Sequence, residues 1–336
     1  MQHAGLSVFT TCPPYRGSEP ESYMRQIRDV SRWSDEAGCE GILVYTDNGA
    51  LDPWLVSQII IENTKALMPL VAVQPVYAHP YTIAKAVSTL SYLHGRRLCL
   101  NMVAGGFKND LAALDDQTPH DRRYDRLVEY TTVIQKLLSS AAPVNFEGEF
   151  YRVQQLVLKP VLRREFSPLI TVSGSSAEGL AAAHSLGAIP VIYPEPAERC
   201  DVHRQAGSGF GIRVGIIARD REDIAWEVAH QRFPPDRGGQ MLHEMAMKVS
   251  DSVWHRQLSD LAQHTAPASS NYWLVPFQHY KTFCPYLVGT YAQVALEVAR
   301  YVSAGCKLII LDVPESEEEL IHVSRALSQA SRQAAA

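Results

Sequence analysis

The sequence has no Cys-x-x-Cys pair, no Gly-x-Gly-x-x-Gly fingerprint after its first apolar run, and no apolar stretch near the ~20 residues that span a bilayer. Six cysteines, at positions 12, 39, 99, 200, 284 and 306, are scattered along the chain. Such spacing argues against a zinc site or a disulfide framework and suits a reducing cytoplasm. No basic segment followed by an apolar stretch opens the sequence, so a cytosolic protein is expected. Basic residues number 31 against 36 acidic ones, and the net charge of −5 leaves no electrostatic footprint for nucleic acid. The expectation is a small-molecule ligand, with no nucleic acid, no membrane and no resident metal.

What is present is a core-forming composition, 46% hydrophobic and 20% charged over 336 residues. Apolar β-type runs at 6–9, 41–45, 70–74, 98–103, 169–172, 188–192, 211–218 and 307–311 alternate with helical patterns. The helices are expected over 21–37, 53–65, 80–93, 119–138, 177–186, 222–231, 240–262, 290–304 and 317–327. Nearly continuous apolar strands between helices imply a parallel sheet covered on both faces, and eight of them imply a closed (β/α)8 TIM barrel. An open doubly wound sheet is the alternative, and the missing glycine fingerprint weighs against it. The expected organisation is one domain over 1–336, with an insertion at about 236–288 between strands 7 and 8.

Two segments read in more detail. From Pro119, Thr118 is placed to cap a helix, Asp121 to complete the box, and Leu127, Tyr130, Ile134 and Leu137 to share one face. Residues 265–288 have no clear period and carry Tyr272, Trp273, Phe277, His279, Tyr280, Phe283 and Tyr286, which reads as a long functional loop or as a loop whose aromatics dock on the barrel.

The run Ser167-Pro-Leu-Ile-Thr-Val-Ser-Gly-Ser-Ser176 passes from a strand straight into a helical pattern. A helix N-terminus offers unpaired N–H groups and the positive end of the helix dipole, and small hydroxyl residues let a phosphate approach. Ser175 and Glu178 have capping-box spacing, and Gly187 stands where the helix should end. An ordinary capped turn has the same grammar.

Several segments together resemble the bacterial luciferase-like flavin monooxygenases, nearest to the alkanesulfonate and pyrimidine monooxygenase branches. They are Leu100-Asn-Met-Val-Ala-Gly-Gly106, His120-Asp-Arg-Arg-Tyr-Asp125, Val144-Asn-Phe-Glu-Gly-Glu-Phe150, the Ser-Gly-Ser-Ser turn, Phe210-Gly-Ile-Arg213 and Pro53-Trp-Leu-Val56. The resemblance implies reduced FMN (FMNH2) at the C-terminal mouth of the barrel, activating O2 as a flavin C4a-(hydro)peroxide that oxygenates a small organic substrate. It further implies a separate NAD(P)H-dependent flavin reductase as partner and a homodimer or homotetramer.

By position, the resemblance puts Asn101 and Asp110 on the flavin or its ribityl chain, and Thr46 and Asp47 near the isoalloxazine. Arg123, Tyr124, Ser175 and Ser176 fall on the ribityl phosphate. Arg213 is the leading group for orienting an anionic substrate or the peroxide, or else pairs with a carboxylate such as Asp47. Tyr193 replaces a family tryptophan and could wall the pocket, and His79 and His279 are acid/base groups by type.

Departures from the sulfonate enzymes are Ala50 for a cysteine, Gly215 for a histidine, Ala104 for a threonine, and Val313 in the region of a tyrosine. They argue against a simple alkanesulfonate, and Gly215 is expected to leave an opening for a bulkier or less anionic substrate. Alternatives are a deazaflavin (F420)-dependent oxidoreductase on the same barrel, or a flavin-binding protein without catalysis.

Overall fold

The computed structural model describes residues 5–198, 209–249, 257–261 and 271–334. Eight parallel strands, numbered in chain order, are β1 (Ser7–Thr11), β2 (Gly41–Val44), β3 (Met68–Val73), β4 (Cys99–Val103), β5 (Ile170–Ser173), β6 (Ile189–Ile192), β7 (Phe210–Arg219) and β8 (Cys306–Leu311). Each coincides within a few residues with an expected apolar run, and helices alternate with them, so the fold is the (β/α)8 barrel with an insertion after β7. The chain divides into two compact units, one of Cys12–Ser31 with Gly41–Pro190, the other of Met1–Thr11, Arg32–Glu40 and Val191–Ala336.

In the first unit the strands run in the order β2-β3-β4-β5, with Ala72 opposite Asn101 and Asn101 opposite Thr171. One face of this sheet carries Val71, Val73, Leu100, Met102 and Val172, packed with Ile83 and Val87 of helix Pro80–His94 and Leu127, Tyr130 and Ile134 of helix His120–Ser139. Because side chains alternate along a strand, Ala72, Asn101, Thr171 and Ser173 project from the opposite face. The helix-covered face is apolar and the other is polar at the strand ends.

In the second unit β7 is ten residues long and serves two sets of neighbours. Its first half pairs with β6 and β8, while Gly215–Arg219 pairs in parallel with a strand at Tyr286–Thr290. That strand, a two-residue strand Tyr272–Trp273 antiparallel to it, and the short helix Val275–Gln278 occupy the stretch expected to be a loop. The aromatics there are core: Phe277 and Tyr286 are fully buried, and Trp273 meets Trp226 and Phe233 edge-on. Residues 250–256 and 262–270 of the expected insertion, and Cys200, lie outside the described residues.

Two further features have no counterpart among the expected elements. Helix Lys108–Ala113 follows β4, and the hairpin Val144–Glu147 with Arg152–Leu156 follows helix His120–Ser139. The hairpin turn is built on one carboxylate: Glu129 accepts from the N–H groups of Glu149, Phe150 and Tyr151 at 2.8, 2.8 and 3.0 Å.

Candidate cofactor and active site

The polar face of the first unit centres on Asn101, 4% exposed on β4. Thr171 Oγ1 and Ser173 Oγ, two residues apart on β5 and therefore on one face, both donate to Asn101 Oδ1, at 2.8 and 3.0 Å. With its carbonyl oxygen held twice, the amide is fixed in rotation, and its Nδ2 meets no acceptor among the described residues. A buried amide whose donor is left over presents a ready hydrogen bond to a ligand acceptor.

Beyond β5 the Ser-Gly-Ser-Ser turn enters helix Ala177–Ser185. The cap is Ser176, whose Oγ accepts from Gly179 N at 3.1 Å, rather than the expected Ser175. Ser175 falls one residue outside the cap position, and its Oγ is buried with no hydrogen-bond partner. Gly187, at φ +62°, ends the helix as expected. Tyr124 lies over this turn: burial raises its phenol, and the neighbouring Ser176 side chain opposes that rise. A Cβ on Gly174 would stand 2.8 Å from Tyr124 Oη, and one on Gly179 would stand 3.2 Å from its ring. Two glycines therefore admit the ring, and the turn brings Ser175, Ser176 and Tyr124 together at one helix N-terminus.

Arg123 is 6% exposed and is spent partly on the backbone. Its Nε donates to Thr118 O at 2.8 Å and its Nη1 to Gly105 O at 3.3 Å, tying the segment after β4 to helix His120–Ser139. Thr118 does not cap that helix; Pro119 occupies the cap position, and Thr118 Oγ1 donates to Asp116 Oδ1 at 2.6 Å. Asp116 also accepts two hydrogen bonds from Arg126. Burial alone would raise the Asp116 carboxyl, but the hydrogen bonds from Arg126 and Thr118 outweigh it and hold the group at about 2.

After β2, Thr46 is half-buried and Asp47 is exposed, with Asp47 Oδ1 accepting from the N–H groups of Gly49 and Ala50 at 2.7 and 2.6 Å. Asn48 donates to Asp110 O at 3.0 Å and accepts from Tyr77 Oη at 2.8 Å. Burial and then the Asp47 charge raise the Asp110 carboxyl, and burial with both aspartates pushes Tyr77 up to about 12. Asp47, Asp110 and Tyr77 form one acidic group, with Thr46 beside Asp47 in the chain; Tyr77 was not anticipated, because an isolated tyrosine in a loop carries no spacing signal.

In the second unit Arg213, 4% exposed, donates through Nη1 to Tyr193 Oη at 3.1 Å, with its guanidinium 5.8 Å from that ring. Gly215 leaves no opening. A Cβ there would fall within the Tyr286 ring, so the side chain of Tyr286 occupies the space that the sequence reading had assigned to substrate. Tyr286 Oη and Thr282 Oγ1 both donate to Asp312 Oδ2, at 2.8 and 2.6 Å. Burial, then Asp312, pushes the Cys284 thiol up to about 12, which leaves it a protonated core residue. His79 accepts from Tyr81 N as the N-cap of helix Pro80–His94, and His279 Nδ1 is buried without a hydrogen bond.

Residues 5–308 match the luciferase-like monooxygenase family. The chain belongs to that family. A monooxygenase of Niallia circulans, BtrO, which acts on 4-(gamma-L-glutamylamino)butanoyl-[BtrI acyl-carrier protein], is 35% identical over 318 residues, covering 93% of this chain and 92% of the relative. The oxygenating constituent of 3,6-diketocamphane monooxygenase from Pseudomonas putida, solved with FMN, has a TM-score of 0.71 at 14% identity, covering 99% of this chain and 98% of its own. An F420-dependent secondary alcohol dehydrogenase has a TM-score of 0.67 at 16% identity, covering 97% and 99%. The chain is thus a luciferase-like monooxygenase by family, while the fold itself is shared with an enzyme solved with FMN and with a deazaflavin enzyme.

The residues present fit a flavin phosphate. Ser175 Oγ is an orphaned buried hydroxyl beside a capped helix N-terminus, Gly174 and Gly179 admit the Tyr124 ring against the turn, and the first-turn carboxylate, Glu178, is exposed.

Proposed function

We propose that this chain is the oxygenase of a two-component monooxygenase: it binds FMNH2 supplied by a separate NAD(P)H-dependent flavin reductase and inserts one atom of O2 into a small organic substrate. The observation that carries the reading is the partnerless Ser175 Oγ at the N-terminus of helix Ala177–Ser185, under Tyr124 and beside Ser176. Such a hydroxyl is costly to bury unless a ligand accepts from it, and a phosphomonoester offers three acceptor oxygens there.

Bound reduced FMN supplies the oxygen-activating chemistry. Asn101 offers Nδ2 to a flavin carbonyl or ribityl oxygen; Ser175, Ser176 and Tyr124 hold the phosphate; Arg123 keeps the Gly105 segment in place; Thr46, Asp47 and Asp110 border the ring system. Arg213, buried and held by Tyr193, orients an anionic part of the substrate. Among the named residues, charge and hydrogen-bonding groups position and exclude water rather than react, as suits a site whose cofactor does the redox work.

The 35% identity to BtrO supports an aminoacyl chain carried on an acyl-carrier protein as the substrate class, over a free alkanesulfonate. A homodimer or homotetramer in the cytoplasm completes the proposal; the five described cysteines are all free and buried, in keeping with a reducing compartment.

The test combines the protein with FMN, NADH, a flavin reductase, heavy-isotope O2 and a carrier-bound aminoacyl thioester. Incorporation of one heavy oxygen atom is expected. Oxidation of substrate without O2, with F420 in place of FMN, would replace this reading by hydride transfer on the same fold.

A further inference from the structure

Gln74 follows directly on β3, one residue past the Val73–Met102 register pair, which puts it level with Val103 and, through the Val103–Ser173 pair, with Ser173. Alternation from Ala72 sends its side chain to the same polar face as Asn101, and its Nε2 stands 3.3 Å from where a Cβ on Gly105 would be. The residue is 7% exposed, its side-chain amide forms no hydrogen bond with the described residues, and its backbone carbonyl accepts from Tyr77 N at 3.2 Å. Its amide atoms are not among the enclosed orphaned ones, so the amide keeps a path to solvent or to a ligand while the rest of the residue is covered.

Its surroundings keep that amide accessible. Gly105 has φ +102°, a conformation that excludes most side chains, and Arg123 Nη1 holds its carbonyl. A side chain at 105 would press on both Gln74 Nε2 and the Leu111 methyls, at 3.1 to 3.3 Å. Two amides thus face one space with different capacities. Asn101 has its oxygen occupied by Thr171 and Ser173 and offers only a donor, whereas Gln74 offers a donor and an acceptor side by side.

We infer that Gln74 is a ligand-binding residue that pairs with the pyrimidine edge of the flavin ring, where a carbonyl acceptor lies next to the N3–H donor. A lactam edge of this kind is the partner a primary amide matches with two parallel hydrogen bonds. The inference rests on the flavin reading above and assigns to the ring system a contact separate from the phosphate turn.

The experiment compares anaerobic binding of reduced FMN, reduced N3-methyl-FMN and reduced riboflavin by the wild-type protein, Gln74→Leu and Gln74→Glu. The wild type should bind FMN about five- to tenfold more tightly than the N3-methyl analogue, the range of one or two neutral hydrogen bonds. Gln74→Leu should lose that discrimination to within about twofold while keeping the wild-type preference for FMN over riboflavin. Gln74→Glu, close in shape and retaining the acceptor, should fall between the two, which separates lost contact from lost folding.

Wild-type discrimination retained in a folded Gln74→Leu protein would overturn the assignment and leave Gln74 as a water-binding residue. A wild-type protein that binds no FMN would overturn the flavin reading and this inference with it.

Discussion

Asn101 on β4 and Thr171 on β5 are register partners joined twice, through the parallel ladder and through the 2.8 Å hydrogen bond from Thr171 Oγ1 to Asn101 Oδ1. The second bond turns a strand-end amide into an oriented donor. Replacing Thr171 by Val keeps the shape and removes one of the two hydroxyls that hold Oδ1. Flavin affinity is then expected to fall by about 1 kcal/mol, the worth of one neutral hydrogen bond. Fluorescence titration with FMN checks it, with Thr171→Ser expected to stay near wild type.

Tyr124 and Gly174 make a steric prediction. Gly174→Ala places a methyl 2.8 Å from the phenol oxygen, and the next ring atom is 3.6 Å away, an ordinary contact. The single variant should lose roughly 1 to 3 kcal/mol. Adding Tyr124→Phe removes the clashing oxygen and should recover part of that loss, so the double variant should melt above Gly174→Ala alone.

Arg123 separates two roles. If its guanidinium acts mainly by holding the Thr118 and Gly105 carbonyls, Arg123→Ala should weaken FMN and riboflavin alike. If it reaches the phosphate, FMN alone should suffer, by about 1.5 to 3 kcal/mol for a charged hydrogen bond. The observed carbonyl bonds favour the first outcome, read as parallel loss in both titrations.

Asp116 predicts a pH dependence. Its folded-state carboxyl sits at about 2, below the reference value of 3.8, and its side chain is 7% exposed. A depressed carboxyl contributes stability that is complete above its unfolded value and disappears as pH falls through the folded one. About 2 kcal/mol should therefore be lost between roughly pH 5 and pH 2. Urea midpoints measured across that range should fall more steeply for the wild type than for Asp116→Asn, which should already be destabilised at neutral pH because Arg126 loses its buried partner.

The barrel was legible because its strands are short, mostly apolar runs between helices, and those helices carry caps and stops that local physics explains, such as Pro53 after the Asp52 cap and Gly187 at φ +62°. Ser175 and Ser176 were legible as a turn because a helix N-terminus after a strand fixes its own neighbours, and Tyr124 packs against that turn. What spacing could not show was contact between distant segments. Tyr286 lies 71 residues beyond Gly215, and nothing local announces that its ring fills the glycine's space. Gln74 escaped notice for a related reason: an amide at a strand end reads as an ordinary polar terminus until the lack of any partner is seen. Caps shifted by one residue: to Ser176 because capping-box spacing fits adjacent hydroxyls almost equally well, and to Pro119 because Thr118 Oγ1 is spent on Asp116.

Anaerobic titration of the purified protein with reduced FMN, followed by reduced riboflavin, tests the cofactor site most directly. Saturable binding with FMN favoured by about tenfold or more is expected, and Ser175→Ala should erode that preference, since the phosphate is then held by fewer donors. Equal affinity for the two flavins, or no binding of either, would contradict a phosphate site at Ser175, Ser176 and Tyr124.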